Sequence, residues 1–417
     1  MVFAWHRGAA VSVAAFEAAA RALAARLPRK PYAVNLCEDR YAFTLGFAAC
    51  LLARQTTLLP PSRAPEAVND SCAGRDTYRL TDDEVLAPAS AQGRGGPIVV
   101  DAGHVAAIVF TSGSTGRPVG HAKTWGSLVA GARALGARLG ASGSIIGTIP
   151  PQHMFGLEST VMLPWQNGLA VHSGRPLLPA DLGEAAAALP APSWLMTSPL
   201  HLRACVGARQ ALPGLAGVVS STMPLDRALA QEAERLWQAP VLEIYGSSEA
   251  GMIALRRAAL DELWELCPGV TLEERDGALW VQGGHIAEPQ RVADRLERRG
   301  ERQFTLHGRK SGLVKIAGKR TSLDALNAVL ARIEGVQDGV FYQRDGAARL
   351  GALVVAPGRS ARALRAALRQ HIDPAFLPRP LHLVAALPRN ETGKLTRQAL
   401  LELVAALEAR DTTPLTP

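Results

Sequence analysis

Apolar positions along this chain switch repeatedly between helical and strand spacing. Residues 13–27 set alanine, leucine and phenylalanine at helical spacing, and the alanine-rich start of the chain reads as part of an amphipathic helix. Residues 32–36 read as a strand, residues 41–53 as a second helix, and residues 56–59 as a short strand stopped by Pro60 and Pro61. Strand and helix in alternation imply a parallel α/β sheet. Residues 62–103 lose the periodicity and are rich in polar residues, Pro and Gly; they predict a surface excursion that rejoins the sheet at residues 98–100. Further strands are expected at residues 108–110, 144–149, 169–172, 194–197 and 218–220, with helices at 125–139 and 181–189 and a helix capped by Asp226. From about residue 310 the pattern becomes that of a small α+β domain: helix 322–333, strands 338–343 and 351–355, helix 361–370, and a frayed tail after Arg410. The expected fold is therefore α/β, with a large N-terminal domain (1–309) of mixed, mostly parallel sheets with helices and a small C-terminal domain (310–417).

Composition narrows the function classes. A chain of 417 residues with 48% hydrophobic content can bury more than one core. Its five cysteines (Cys37, Cys50, Cys72, Cys205, Cys267) are odd in number and lack a C-x-x-C pair, which argues against a disulfide framework or zinc site and for a cytoplasmic protein. The longest apolar run, near residues 43–53, is too short to span a bilayer, so no membrane span is expected. Only Arg7 could serve as the basic start of a signal peptide, and Glu17 and Arg21 interrupt the apolar stretch. The formal charge of +8 suits acidic small molecules or an acidic partner protein. No basic stripe interleaved with aromatics is present, so nucleic acid is not an expected partner.

The chemistry concentrates in a few stretches. Thr111, Ser112, Gly113, Ser114, Thr115 and Gly116 put four hydroxyls and two glycines directly after an apolar strand. Such a loop can wrap a phosphate, because glycine admits backbone N–H groups close to an anion and hydroxyls add donors. It is not a Walker loop: five residues after Gly113 stands Pro118 rather than a glycine followed by lysine. Alone it also fits a flexible surface turn. The Tyr245, Gly246, Ser248, Glu249 stretch fits a strand end with a helix-capping Ser/Glu pair, and His153 fits a hydrogen-bonded structural histidine. Asp294, surrounded by Arg291, Arg295 and Arg298, fits a solvated helix face.

Together and in this order, these stretches resemble the adenylate-forming superfamily of acyl-CoA and aryl-CoA synthetases and peptide-synthetase adenylation domains. Residues 111–120 are similar to its T-S-G-[ST]-T-G-x-P-K-G loop, except that Val119 replaces the lysine. Tyr245, Gly246, Ser248 and Glu249 match Y-G-x-T-E with serine for threonine; Arg309 opens a segment similar to G-R-x-D-D-x-I-K-x-x-G-x-R, with Ser311 and Gly312 for the two acids. Pro388, Gly393, Lys394 and Arg397 match the terminal P-x-T-x-x-G-K-[IL]-x-R, with Asn390 for its threonine. His153 and Gly156 fall on an H-x-x-G element, Ser221 lies in a turn similar to S-G-[AG]-x-P-L, and Asp294 stands for the acid of T-G-D.

The resemblance implies an ATP-dependent enzyme with a small carboxylic acid substrate, Mg²⁺, and the phosphopantetheine thiol of CoA or a carrier protein. Thr111 to Gly116 would hold the β- and γ-phosphates; Tyr245 would stack on adenine beside Gly246 and Ser221; Ser248 would donate to the α-phosphate and Glu249 would hold Mg²⁺. Asp294 and Arg309 would contact ribose or phosphate, His153 would line the acyl and phosphate site, and Lys394 would bridge substrate carboxylate and α-phosphate. Residues just after Arg309 would hinge a mobile small domain, and Gly318, Lys319 and Arg320 would face the thiol acceptor. No general base is required, because a carboxylic acid is already ionised near neutral pH. With Val119 unable to pair with phosphate, Lys123 or Arg117 is expected to take the lysine's place. The resemblance implies a longer region before the loop, so a trimmed N-terminal subdomain is expected. Lys123, Thr124 and Trp125 are similar to a stretch in small ligases of aryl-polyene and polyketide-like pathways, which implies a hydroxybenzoate-type aryl acid loaded on an acidic acyl carrier protein or CoA. A medium- or long-chain fatty acid is the alternative substrate, and a non-catalytic nucleotide-binding or carrier-docking relative the alternative class.

Overall fold

The computed structural model describes residues 1–87, 97–112, 118–140, 142–309, 313–316, 319–344, 347, 349–390 and 393–411. They divide into two compact units, one built on Met1–Val292 with Arg299–Phe304, the other on Ala293–Arg298, Thr305–Asn390 and the residues from Lys394 on.

The first unit holds two large sheets. One runs in the order Thr77–Leu80, Tyr32–Asn35, Thr56–Leu59, Val105–Ser112, Pro118–Thr124; its strands are parallel except the last, which turns back antiparallel on Val105–Ser112. The other contains, in order, Leu263–Leu266, Gly251–Arg257, Val241–Ser247, Leu215–Ser220, Ser193–Thr197, Ser144–Gly147, Ala170–His172, Val2–His6 and Ala9–Ser12. It is parallel from Val241–Ser247 to Val2–His6 and antiparallel beyond each end. This is the mixed, mostly parallel α/β class the alternation predicts.

Local chemistry explains the main helices. Ser12 caps Val13–Ala24 by accepting the Ala15 N–H at 3.1 Å, and Asp39 caps Arg40–Leu52 by accepting that of Ala42 at 2.9 Å. Arg40–Leu52 is buried from Arg40 to Leu51, which its unbroken apolar run dictates. Thr124 starts Trp125–Leu139, and Gly140 ends it in the left-handed conformation. Asp226 accepts from Ala228 and Leu229 to start Arg227–Trp237, as expected. Leu229 and Ala233 of that helix pack on Val218 and Val241 of the sheet.

Three expectations need correction. The first twelve residues are not helical: Val2–His6 and Ala9–Ser12 form a hairpin whose turn residues Arg7 and Gly8 have φ of 51° and 80°. Positive φ at both turn positions matches the twist of paired strands. Residues 62–103 are not a plain excursion, since they contain helix Pro65–Cys72, strand Thr77–Leu80 and helix Asp82–Leu86. These elements bury little besides Val68, Leu80 and Val85, too few apolar positions to leave a period in the sequence. The chain rejoins the sheet at Val105–Ser112, whereas residues 98–100 carry no strand. Finally, Asp294 opens the strand Asp294–Arg298 rather than lying on a helix face.

In the second unit, Asp338–Tyr342 and Gly351–Val355 pair antiparallel, and Leu381–Leu383 adds in parallel. Helices Leu323–Ala331 and Ala361–Leu368 cover the sheet through Leu326, Leu330, Leu364 and Leu368. A last helix, Arg397–Asp411, not among the expected elements, packs Val404 against Tyr342, Leu353 and Leu387.

Candidate active site

The phosphate-loop stretch joins Val105–Ser112 to Pro118–Thr124. Gly113, Ser114, Thr115, Gly116 and Arg117 lie outside the described residues, as does the Ser112 side chain. Thr111 is described, and its Oγ1 is 3.1 Å from His121 Nε2. Because side chains alternate along a strand, Val119, His121 and Lys123 share one face. That face descends from solvent into the interior: Val119 is 48% exposed, His121 half-buried and Lys123 only 7% exposed.

The second stretch is a hairpin, not a strand followed by a helix. Val241–Ser247 and Gly251–Arg257 pair antiparallel, and residues 248–250 form the turn. Gly246 is required by the close approach of the two strands, since a β-carbon there would lie 2.4 Å from the Gly251 carbonyl oxygen. Gly251 has φ of +77°, and a β-carbon on it would meet Glu158 Oε1 at 2.5 Å. Tyr245 is propped edge-on by Trp264 and Phe304, with ring centroids 5.7 and 5.8 Å away. Ser248 is half-buried in the turn.

Glu249 is where the two sheets meet. Its Oε1 is 3.5 Å from His121 Nε2, and its backbone carbonyl accepts from the Lys123 ammonium. Partial burial pushes its pKa up, but hydrogen bonds from its own backbone and from Ser247, with the charges of His121 and Lys123, outweigh it and hold the carboxyl below its usual range. Burial lowers the pKa of His121, with Lys123 acting the same way and Glu249 against it. Burial also lowers that of Lys123, opposed by Glu158 and Glu249. Glu158 is pushed up to about 7 by burial, opposed by a hydrogen bond from Met252 N–H at 3.2 Å and by the charge of Lys123.

Two other expected residues flank this meeting point in the chain. His153 caps the short helix Met154–Gly156, with Nδ1 accepting the Phe155 N–H at 3.2 Å, which leaves the proton on Nε2. Ser221 is buried and donates to the carbonyl of Ile244, the residue before Tyr245, at 3.2 Å. The turn after it contains Thr222 at φ of 81°, and Leu225 N–H binds Glu243, itself paired with Arg256 at 2.7 Å. The turn and the strand leading into Tyr245 are thus fixed to each other.

Asp294, Arg309 and Lys394 belong to the second unit. Asp294 is half-buried at the start of its strand; Arg309 ends the strand Gln303–Arg309, and its side chain lies outside the described residues. Lys394 is exposed, and Asn390 bonds to its backbone twice: the Asn390 N–H reaches the Lys394 carbonyl at 2.9 Å, and the Asn390 Oδ1 accepts the Lys394 N–H at 2.8 Å. Asn390, in place of the superfamily's threonine, therefore holds the lysine's backbone. The proposed hinge residues 310–312 and Gly318 lie outside the described residues, and nothing is described of the side chains of Lys319 and Arg320.

Sequence reasoning missed His121 and Glu158. The available signal for the second is a lone carboxylate within the otherwise apolar and small residues 154–162. For His121 it is the strand alternation that puts it beside Val119 and Lys123.

The five-stranded sheet meets the second sheet at the carboxylate turn, an arrangement that the family match places among adenylate-forming enzymes. The chain belongs to the AMP-binding enzyme family, which residues 5–273 match. It is 31% identical over 297 residues to a 4-coumarate–CoA ligase of Rhodobacter capsulatus, covering 69% of this chain and 74% of that protein. To a 4-coumarate–CoA ligase of Halorhodospira halophila it is 30% identical over 309 residues, 72% of this chain and 77% of that one. In fold it is similar to the o-succinylbenzoate-CoA synthetase of Bacillus subtilis solved with an acyl-adenylate, with a TM-score of 0.81 over 96% of this chain and 95% of that one at 18% identity. Among the described residues no helix is long and apolar enough to cross a membrane, and no three His, Cys, Asp or Glu side chains group as a metal cluster.

Proposed function

We propose that the protein activates an aryl carboxylic acid with ATP, forming an acyl-adenylate and pyrophosphate, and passes the acyl group to the phosphopantetheine thiol of CoA or an acyl carrier protein. The observation that carries the adenylation step is the meeting of Thr111, His121 and Glu249, which joins the phosphate-loop strand to the carboxylate turn. An aryl substrate is supported by the likeness to two 4-coumarate–CoA ligases, whose names state that acid class.

In this reading the substrate carboxylate attacks the α-phosphorus of ATP, and the bond to the departing pyrophosphate breaks. Negative charge grows on the phosphorus oxygens and the leaving group, so preorganised donors aimed there lower the barrier. Thr111 to Gly116 cradle the β- and γ-phosphates, Ser248 donates to the α-phosphate, and the Lys394 ammonium spans the carboxylate and α-phosphate. Tyr245, held by Trp264 and Phe304, supplies the face for adenine, with Gly246 and Ser221 at its border; Asp294 and Arg309 take the ribose and phosphate. His153 lines the acyl side. Glu249 suits Mg²⁺, which takes one or two carboxylates alongside phosphate oxygens and water; its side chain is 43% exposed and held ionised. Mg²⁺ bound there would neutralise phosphate charge. The second unit then reorients about residues 310–312, withdraws Lys394 and admits the thiol, whose sulfur displaces AMP from the acyl carbonyl.

Acid-dependent pyrophosphate release with 4-hydroxybenzoate, 4-coumarate and octanoate tests the reading, followed by CoA against a phosphopantetheinylated carrier protein as acceptor. An aryl acid is expected to exceed octanoate by about 10-fold or more in kcat/KM. Preference for octanoate would favour a fatty acid, and no release with any acid would favour a non-catalytic nucleotide-binding relative.

A further inference from the structure

Residues 248–252, which carry Glu249, are held by two buried ionisable side chains, Lys123 and Glu158. Lys123 donates its ammonium to the backbone carbonyl of Glu249, and Glu158 accepts the N–H of Met252 at 3.2 Å. They are 7% and 8% exposed, and each lies in the electrostatic field of the other. Ionisable groups are tolerated at such depth only when they are hydrogen-bonded or face opposite charge. Here both bond to backbone, on opposite sides of one turn.

The surroundings are built for this contact. Gly251 leaves room for the Glu158 carboxylate, since a β-carbon there would come within 2.5 Å of it. Glu158 lies on the π-helical stretch Leu157–Met162, a rare geometry that recurs at functional sites. Lys123 is rooted in the strand whose other end leaves the phosphate loop. It stands four residues beyond Val119, about 13 Å along the strand from the position where relatives carry their phosphate lysine.

We propose that Lys123 and Glu158 are a paired positioning clamp that fixes the Glu249 turn to the phosphate-loop strand, and that Lys123 acts there as a positioning residue and not as a phosphate ligand. The kinetic arm of the test rests on the adenylation proposed above; the structural arm does not. Lys123→Met and Glu158→Met, singly and together in the full chain, are compared by hydrogen–deuterium exchange without nucleotide, by Tm, by calorimetric ATP affinity and by kcat for acid-dependent pyrophosphate release. Each single variant is expected to speed exchange over residues 246–252 by about 10-fold or more, the loss of one buried hydrogen bond, while residues 193–197 keep their protection. Each also lowers kcat, with ATP affinity changed by less than about 3-fold.

Lys123 and Glu158 lie in each other's electrostatic field, so replacing both by apolar side chains of similar size leaves no lone buried charge and restores stability. The double variant therefore recovers Tm but neither turn protection nor kcat. The clamp is overturned if turn exchange is unchanged in the single variants, or if the double variant regains protection and kcat along with Tm. It is equally overturned if Lys123→Met alone weakens ATP binding about 10-fold or more while Glu158→Met does not, the mark of a phosphate ligand. If the wild-type protein releases no pyrophosphate with any acid, the proposed function fails while the exchange data still decide the clamp.

Discussion

His121 shows how much a single side chain can connect. One ring nitrogen lies 3.1 Å from the Thr111 hydroxyl and 3.5 Å from the Glu249 carboxylate, so one imidazole spans the first and second motifs. His121→Ala removes that link while leaving the strand pairing, and adenylation is expected to fall about 10-fold or more with Tm little changed, as measured by pyrophosphate release and thermal melting. An unchanged rate would separate His121 from the chemistry. The proposed site residues stand out in the sequence because their types and spacing suit the proposed chemistry: hydroxyls and glycines for phosphate, a carboxylate after Tyr-Gly, a late lysine. His121 and Glu158 were not, because their roles depend on a turn more than ninety residues away from each arriving beside them; Glu158 and Met252, for instance, are separated by 94 residues.

At the scale of elements, the strands and helices that bury a continuous apolar run announced themselves, as Arg40–Leu52, Trp125–Leu139 and Gly351–Val355 do. Short elements with one or two buried side chains did not, as Pro65–Cys72 and Thr77–Leu80 show, and alanine at the chain start masked a hairpin set by its Arg7-Gly8 turn. Outside the site, the helix Arg227–Trp237 is tied to the sheet by Glu234, which accepts both Nε and Nη2 of Arg257 at 2.9 Å and the Val241 N–H at 2.9 Å. Partial burial raises the Glu234 pKa, but these bonds and the Arg257 charge prevail and hold it below its usual range. A carboxyl depressed on folding contributes stability that is present above its unfolded pKa, about 4.3, and lost as pH falls through the folded value. Glu234→Gln is therefore expected to lower Tm near neutral pH and to flatten its decline on acidification. A variant whose acid limb parallels the wild type would contradict the assignment.

At the scale of the whole molecule, the alternating pattern and the late change to a small α+β pattern foretold a large α/β part and a smaller one. What the pattern could not supply is where strands such as Asp294–Arg298 belong, because that strand groups with the second unit although it precedes residue 310. The proposed catalytic groups are divided in the same way, Glu249 in the first unit and Lys394 in the second.

ATP–pyrophosphate exchange driven by an aryl acid, in the wild-type protein and in Lys394→Ala, puts this account to its most direct test. Acid-dependent exchange that drops about 100-fold or more in the variant, with the fold retained by circular dichroism, is the expected result. Exchange that ignores the acid, or that survives unchanged without the lysine, would contradict it.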